Sequence, residues 1–209
     1  MISIIIPTYN RHETLIKVLM SIENQDYIDK EIIVIDDNST DKGATRKVVE
    51  ECKKIMRTNI LYLNTHQDGY NLAMARNMGV IEAMGDTLLF LDDRYTLEPQ
   101  TLEGVARTVK AGIWHYGKKI IKGEIIHKRP FIENFSWISK KDFRHFGCFN
   151  ERINIYGGMS QDIRERWLDG YHTFRQEDVF CKQIIGSKSN HKKNEIWKAK
   201  LILKKLNGE

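Results

Sequence analysis

Cysteine is scarce in this 209-residue chain, and its spacing suits no cross-link: Cys52, Cys148 and Cys181 lie far apart, with no C-x-x-C pair. That excludes a disulfide framework and a thiolate zinc site, and it fits a reducing compartment. No stretch approaches the roughly 18–20 apolar residues that a membrane span needs. The opening Ile2-Ser3-Ile4-Ile5-Ile6-Pro7 is a short apolar run with no basic leader. The expectation is therefore a cytoplasmic protein without a signal peptide, soluble or peripheral to the inner face of a membrane. Neither G-x-x-x-x-G-K-[ST] nor G-x-G-x-x-G occurs, so a P-loop and a dinucleotide fingerprint are unsupported. Internal repeats and low-complexity linkers are missing too, and the length suits one continuous domain.

What is present is ordinary for a globular protein: 41% hydrophobic and 29% charged residues. The net charge of +5 is unevenly spread. Eight lysines crowd residues 182–209 against Glu195 and Glu209, and seven basic residues crowd 107–129 against Glu124. The remainder is net acidic, which does not describe a uniformly basic nucleic-acid binder. Solvated faces account for such stretches most simply, although a polyanionic acceptor or an acidic membrane surface would also suit them.

Strand-like and helix-like segments alternate over the first half. Residues 2–6, 31–35, 60–63 and 87–91 are short apolar runs rich in β-branched residues. Between them, residues 12–24, 43–57 and 70–84 carry apolar side chains at helical spacing, such as Leu15, Val18, Leu19 and Ile22 in the first. Such alternation indicates βαβ units and a parallel sheet whose strands are covered on both faces. Ligands of these sheets bind beyond the carboxyl ends of the strands. Three strand-like runs end in polar clusters: Thr8-Tyr9-Asn10-Arg11, Asp36-Asp37-Asn38-Ser39, and Asp92-Asp93. All three are expected on one rim.

After residue 112 the pattern changes. Residues 120–126 alternate weakly around Gly123 and predict an antiparallel strand; 135–139 predict another, 140–146 a short helix and 161–169 a longer one. The expected division is residues 1–112 as a βαβ half, 113–181 as a smaller mixed portion of the same domain, and 182–209 as a basic tail or helix. The tail sets Ile196, Trp197, Leu201, Leu203 and Leu206 among lysines, a pattern that packs on its own domain or lies on anionic lipid.

Adjacent aspartates leaving a buried strand are costly unless they meet solvent or a cation. Their hard oxygens suit Mg²⁺ or Mn²⁺, which also takes phosphate oxygens from a substrate. A solvated turn is the simpler alternative, with Asp near a helix start.

Four segments taken together carry a resemblance: residues 3–11, 31–39, 75–79 (Ala75-Arg76-Asn77-Met78-Gly79) and 85–93. In order and spacing the chain resembles family 2 glycosyltransferases of the GT-A fold. The resemblance implies an α/β, Rossmann-like, mostly parallel central sheet flanked by helices, with a smaller mixed C-terminal acceptor portion. It implies a metal-dependent inverting transferase using a nucleotide-sugar donor, UDP-linked, and a hydroxyl acceptor such as a glycan. By resemblance, Pro7, Thr8, Tyr9, Arg11, Asp36 and Asp37 form the nucleotide pocket, and Arg76 lies near the base or diphosphate. Asp93 is implied as the direct Mn²⁺ or Mg²⁺ ligand, with Asp92 nearer the ribose or a metal-bound water. Arg94 stands where many relatives carry a further acid.

The second half resembles the family more loosely. Tyr156-Gly157-Gly158 matches an acceptor-side W-G-G loop that precedes E-D-x-D-L, but Met159 and Ser160 replace the first two acids while Asp162 keeps the last. Inverting transfer needs a carboxylate to take the acceptor proton. The family's usual position for that base holds Ser160, so Asp162 is the expected catalytic base through a slip of register at the helix start. Glu177 or Asp178, which follow a strand-like stretch at 170–174, or a domain that binds a nucleotide sugar without turnover, are the alternatives. His191, ahead of Lys192-Lys193, matches an additional metal ligand of some relatives, against the plain reading of an exposed tail histidine.

Overall fold

In the computed structural model, residues 1–127, 131–154, 158–170 and 172–184 are described. Among the described residues, nine strands form one sheet with helices on both faces. Four parallel strands make its first half: β1 (Ile2–Thr8), β2 (Lys30–Asp36), β3 (Asn59–Asn64) and β4 (Thr87–Leu91), in the order β3-β2-β1-β4. Helices α1 (His12–Glu23), α2 (Ala44–Ile55) and α3 (Leu72–Glu82) supply the crossovers. The three expected helices and four expected strands are all present, each within about two residues of its predicted bounds.

Strand β1 is apolar throughout because it is covered twice. Ile2, Ile4 and Ile6 point into a core shared with Leu15, Val18 and Leu19 of α1, whereas Ile5 packs with Ala73, Ala75 and Val80 of α3. Helix α3 lies very close to the sheet: a Cβ on Gly79 would stand 2.7 Å from Ile5 Cγ2 and 2.8 Å from Ile35 Cδ1. The approach brings Arg76, on the same helix, under the carboxyl end of β4.

The second half continues the same sheet. Beyond β4 come β8 (Phe135–Ser139), β6 (Ile113–Ile121), β9 (Thr173–Gln183) and β5 (Tyr95–Leu97), with β7 (Glu124–Ile126) paired to β6. Helices α4 (Thr101–Thr108), α5 (Lys140–Phe146) and α6 (Met159–Asp169) complete the layers. Trp114 sits at the centre of an aromatic cluster with Phe90, Phe143 and Trp167, which fixes α5 and α6 against one face. Since β5 from the first half pairs with β9 from the second, the sheet is continuous across residue 112.

Three expectations are corrected. The single strand expected over 120–126 is a hairpin of β6 and β7, turned by Lys122 and Gly123 at φ of 53° and 85°. Two successive left-handed residues are what a two-residue hairpin turn of matching twist requires. Glu177 and Asp178 lie inside β9 rather than after a shorter strand ending at Phe174. Lys119, counted with the basic stretch at 107–129, points inward at 7% exposure.

Candidate active site

The strand order reverses between β1 and β4, since β1 leads to β2 on one side and β4 returns on the other. Ligands of open α/β sheets bind in the crevice that such a reversal leaves at the strand carboxyl ends. Thr8 closes β1 and Asp93 follows β4, and the Thr8 hydroxyl donates to Asp93 Oδ2 at 2.8 Å across that crevice. Arg11, at the start of α1, holds its Nε 3.9 Å from Asp93 Oδ1. Burial raises the Asp93 carboxyl to about 7, further than the nearby Arg11 and the Thr8 hydrogen bond can lower it.

Asp92 is held differently. Arg76 Nη2 donates to its Oδ1 at 2.9 Å and Arg94 Nη2 to its Oδ2 at 3.0 Å. Burial works against ionisation here, but Arg94 and Arg76 outweigh it and hold the carboxyl below the usual range. Arg76 has no exposed surface, and its Nη1 donates at 2.9 Å to Glu133 Oε1. Its guanidinium therefore spans two carboxylates.

The other rim cluster separates its two acids. Asp36 has a partner on each oxygen: Oδ1 accepts from the Ser39 amide at 2.8 Å and Oδ2 from the Tyr62 hydroxyl at 2.7 Å. Burial and the Asp36 hydrogen bond together push the Tyr62 hydroxyl up to about 12. Asp37 accepts from the Asn71 amide at 3.2 Å and the Thr65 hydroxyl at 3.3 Å, while burial raises its carboxyl. Asp37 also lines a cleft of about 270 Å³ with Tyr9, Asn38, Thr40, Asp68 and Tyr70. Pro7 is buried within β1, opposite Ile35 of β2, so it shapes the crevice from below.

The acceptor-side expectations separate as well. Gly158 caps α6, whereas Tyr156, Gly157, His191 and the tail from residue 185 lie outside the described residues. Asp162, in the first turn of α6, accepts from Arg166 Nε at 3.0 Å and Asn150 Nδ2 at 3.4 Å. Arg166 also donates to the Cys148 carbonyl at 3.0 Å, so this pair fastens α6 to the preceding loop. Glu177 pairs with His115 and Arg175, and Asp178 with Lys118; neither has a described contact with Asp92 or Asp93.

Two site residues escaped the sequence reading. Glu133, 6% exposed, reaches Arg76 through Oε1 and the Ser160 hydroxyl through Oε2. Lys119 donates to Asn134 Oδ1 and lies 5.4 Å from the Tyr95 ring, and burial lowers its ammonium. The signal for Glu133 was available: an acid between Phe131 and Phe135 is as costly to bury unpaired as Asp92-Asp93.

The donor set fits a hard divalent cation. Asp93 is a buried carboxylate whose nearest described cation stands 3.9 Å away, and both its donor atoms are oxygen. Among the described residues no three His, Cys, Asp or Glu side chains cluster as a metal cage. Mg²⁺ and Mn²⁺ sites commonly need just one or two carboxylates beside substrate phosphates.

Known proteins similar to this chain include glycosyltransferases. A beta-1,3-glucosyltransferase from Campylobacter jejuni, named for GalNAc(5)-diNAcBac-PP-undecaprenol, is 37% identical over 68% of this chain and 47% of its own. The chain thus spans about half the length of that relative. S. aureus TarS in complex with UDP-GlcNAc superposes with a TM-score of 0.74 at 17% identity, over 97% of this chain and 65% of that one. The mannosyltransferase PcManGT of Pyrobaculum calidifontis, in complex with GDP-Man and Mn²⁺, gives 0.69 at 18% identity, over 90% and 58%. The family described as glycosyl transferase family 2 matches residues 3–159. With three quarters of its length inside that match and the sheet order of a GT-A fold, the chain belongs to glycosyl transferase family 2.

Proposed function

We propose that this chain is a divalent-metal-dependent glycosyltransferase that moves a sugar from a UDP-linked donor to a hydroxyl acceptor on a glycan or glycoconjugate, with inversion. The observation that carries it is the hydrogen bond from Thr8 to Asp93 across the β1/β4 reversal, beside an open cleft floored by Asp37. The cleft would take the nucleoside. Tyr9 and Tyr70 flank it, and the Asp37 carboxylate would accept from the imide N–H of uracil. The diphosphate would then lie over the carboxyl ends of β1 and β4.

Asp93 would hold Mn²⁺ or Mg²⁺, with Asp92 turned toward the ribose or a metal-bound water. The cation, when bound, neutralises charge that builds on the departing diphosphate. Arg11, at the same rim, adds positive charge at that point. Arg76 and Arg94 fix the orientation of Asp92, so the acidic pair meets a donor with its geometry already set.

The test is incubation of the purified protein with Mn²⁺ and a panel of UDP-sugars plus GDP-mannose. UDP release from at least one UDP-sugar, lost on chelation, is the expected result. Absence of release from every donor, together with no binding of UDP or GDP, overturns the proposal.

A further inference from the structure

Glu133 is a buried acid that shares Arg76 with Asp92. It lies just before β8, where the Asn134 carbonyl accepts from the Asp92 amide at 3.1 Å. The backbone beside it is thus clamped to the same strand end that carries the acidic pair. Arg76 then ties the side chains together, with Nη2 on Asp92 and Nη1 on Glu133, both at 2.9 Å. From the other side the Ser160 hydroxyl, in the first turn of α6, donates to Glu133 Oε2.

We infer, on the basis of the transferase reading above, that Glu133 is the catalytic base, with Arg76 and Ser160 as its positioning residues. A carboxylate oxygen accepts more than one hydrogen bond, so Oε2 can receive an acceptor hydroxyl beside or in place of the Ser160 hydroxyl. As the acceptor oxygen forms its bond to the anomeric carbon, its proton passes to Glu133. The bond from that carbon to the diphosphate breaks, and its electron pair leaves with the UDP.

Asp162 is poorly placed for this task. Arg166 donates to its Oδ2 and Asn150 to its Oδ1, and Arg166 anchors the pair to the Cys148 carbonyl, so its contacts run to α6 and the preceding loop rather than to the strand end that carries Asp92. No described contact links Asp162 to Arg76, Asp92 or Glu133. A serine at position 160 also makes sense here. A carboxylate there would meet Glu133 at close range, and like charges so near disfavour joint ionisation. One acid suffices.

The test compares wild type, Glu133→Gln and Glu133→Gln/Ser160→Asp by UDP calorimetry with Mn²⁺ and by UDP release from the preferred UDP-sugar, with water or supplied acceptor. Glu133→Gln keeps an oxygen for Arg76. Its UDP affinity should stay within about threefold of wild type while kcat falls by at least about 100-fold, the usual loss for a missing general base. The double variant, which returns a carboxylate to the same spot from α6, should regain at least about tenfold of that loss. Glu133→Asp keeps the charge beside Arg76 and carries the same test if the Gln variant does not fold: kcat falls with UDP affinity intact. Turnover of Glu133→Gln within about tenfold of wild type, parallel loss of affinity and kcat, or no recovery in the double variant overturns the assignment. A wild type that binds no nucleoside diphosphate instead fails the transferase reading itself.

Discussion

Thr8 and Asp93 lie 85 residues apart in sequence, yet the Thr8 hydroxyl donates to the Asp93 carboxylate at 2.8 Å. The bond ties the end of β1 to the end of β4 at the point where the sheet reverses order, and it presents a buried carboxylate to the crevice.

Asp93→Ala should remove most of the Mn²⁺-dependent gain in UDP affinity, while Thr8→Val, which deletes a partner of that carboxylate, should cost about 10-fold. Titration calorimetry with and without Mn²⁺ measures both. Equal UDP affinity in wild type and Asp93→Ala would contradict the role given to Asp93.

Arg76 is a stability residue as well as a positioning one. Replacing it with Met leaves Asp92 and Glu133 buried without their shared cation, and breaking a buried pair this way costs about 3–5 kcal/mol. Denaturant unfolding of Arg76→Met should show a loss of that size. Arg76→Lys should recover only part of it, because one ammonium cannot span both carboxylates as the planar guanidinium does. A Met variant as stable as wild type would refute the bridging role.

Asp37 should set the preference for the base. Asp37→Asn is expected to weaken UDP binding by about 10-fold, because a charge-assisted hydrogen bond becomes a neutral one. GDP binding should change less. Comparative titration of the two nucleotides checks this, and parallel changes in both would argue against contact between Asp37 and the base.

Glu23 supplies a pH-dependent contribution to folding. It closes α1 and accepts from the Thr58 hydroxyl at 2.6 Å, the Arg57 amide at 3.0 Å and the Thr58 amide at 3.2 Å, at the entrance to β3. Burial tends to raise its carboxyl, but these hydrogen bonds and the Arg57 guanidinium outweigh burial and lower it to about 2 from 4.5. A carboxyl with a depressed folded value stabilises fully above its unfolded value and loses that effect as pH falls toward the folded one. Glu23→Gln should therefore cost about 1–3 kcal/mol at pH 7, with the gap closing between about pH 4.5 and 2. A gap in unfolding temperature that stays constant over that range would contradict it.

The first half of the fold is legible because β1, β2 and β4 are buried on both faces, so each is an unbroken apolar run whose end is marked by an acid or hydroxyl. Asp92 and Asp93 stand out for that reason. The second half hides itself. Strands β6 and β9 pair parallel with each other and antiparallel with their other neighbours, and their burial is mixed, so Lys119 reads as surface charge although it points inward against Tyr95. Glu133 sits in a stretch with no periodicity, and its significance depends on Arg76, 57 positions earlier, reaching it from α3. The Asp36-Asp37 pair shows a further boundary: spacing placed both at the rim, but only the hydrogen bonds from Ser39 and Tyr62 reveal that Asp36 has a partner on each oxygen.

The central claim is that the crevice between β1 and β4 binds a nucleoside diphosphate through Asp93 and a divalent cation. Isothermal titration of the wild-type protein with UDP, in Mn²⁺ and then in excess chelator, tests it most directly. The account predicts a one-to-one heat in Mn²⁺ that chelation largely abolishes and that Asp93→Ala does not show. No heat with UDP or GDP in either condition, or heat unchanged by chelation and by Asp93→Ala, would contradict it.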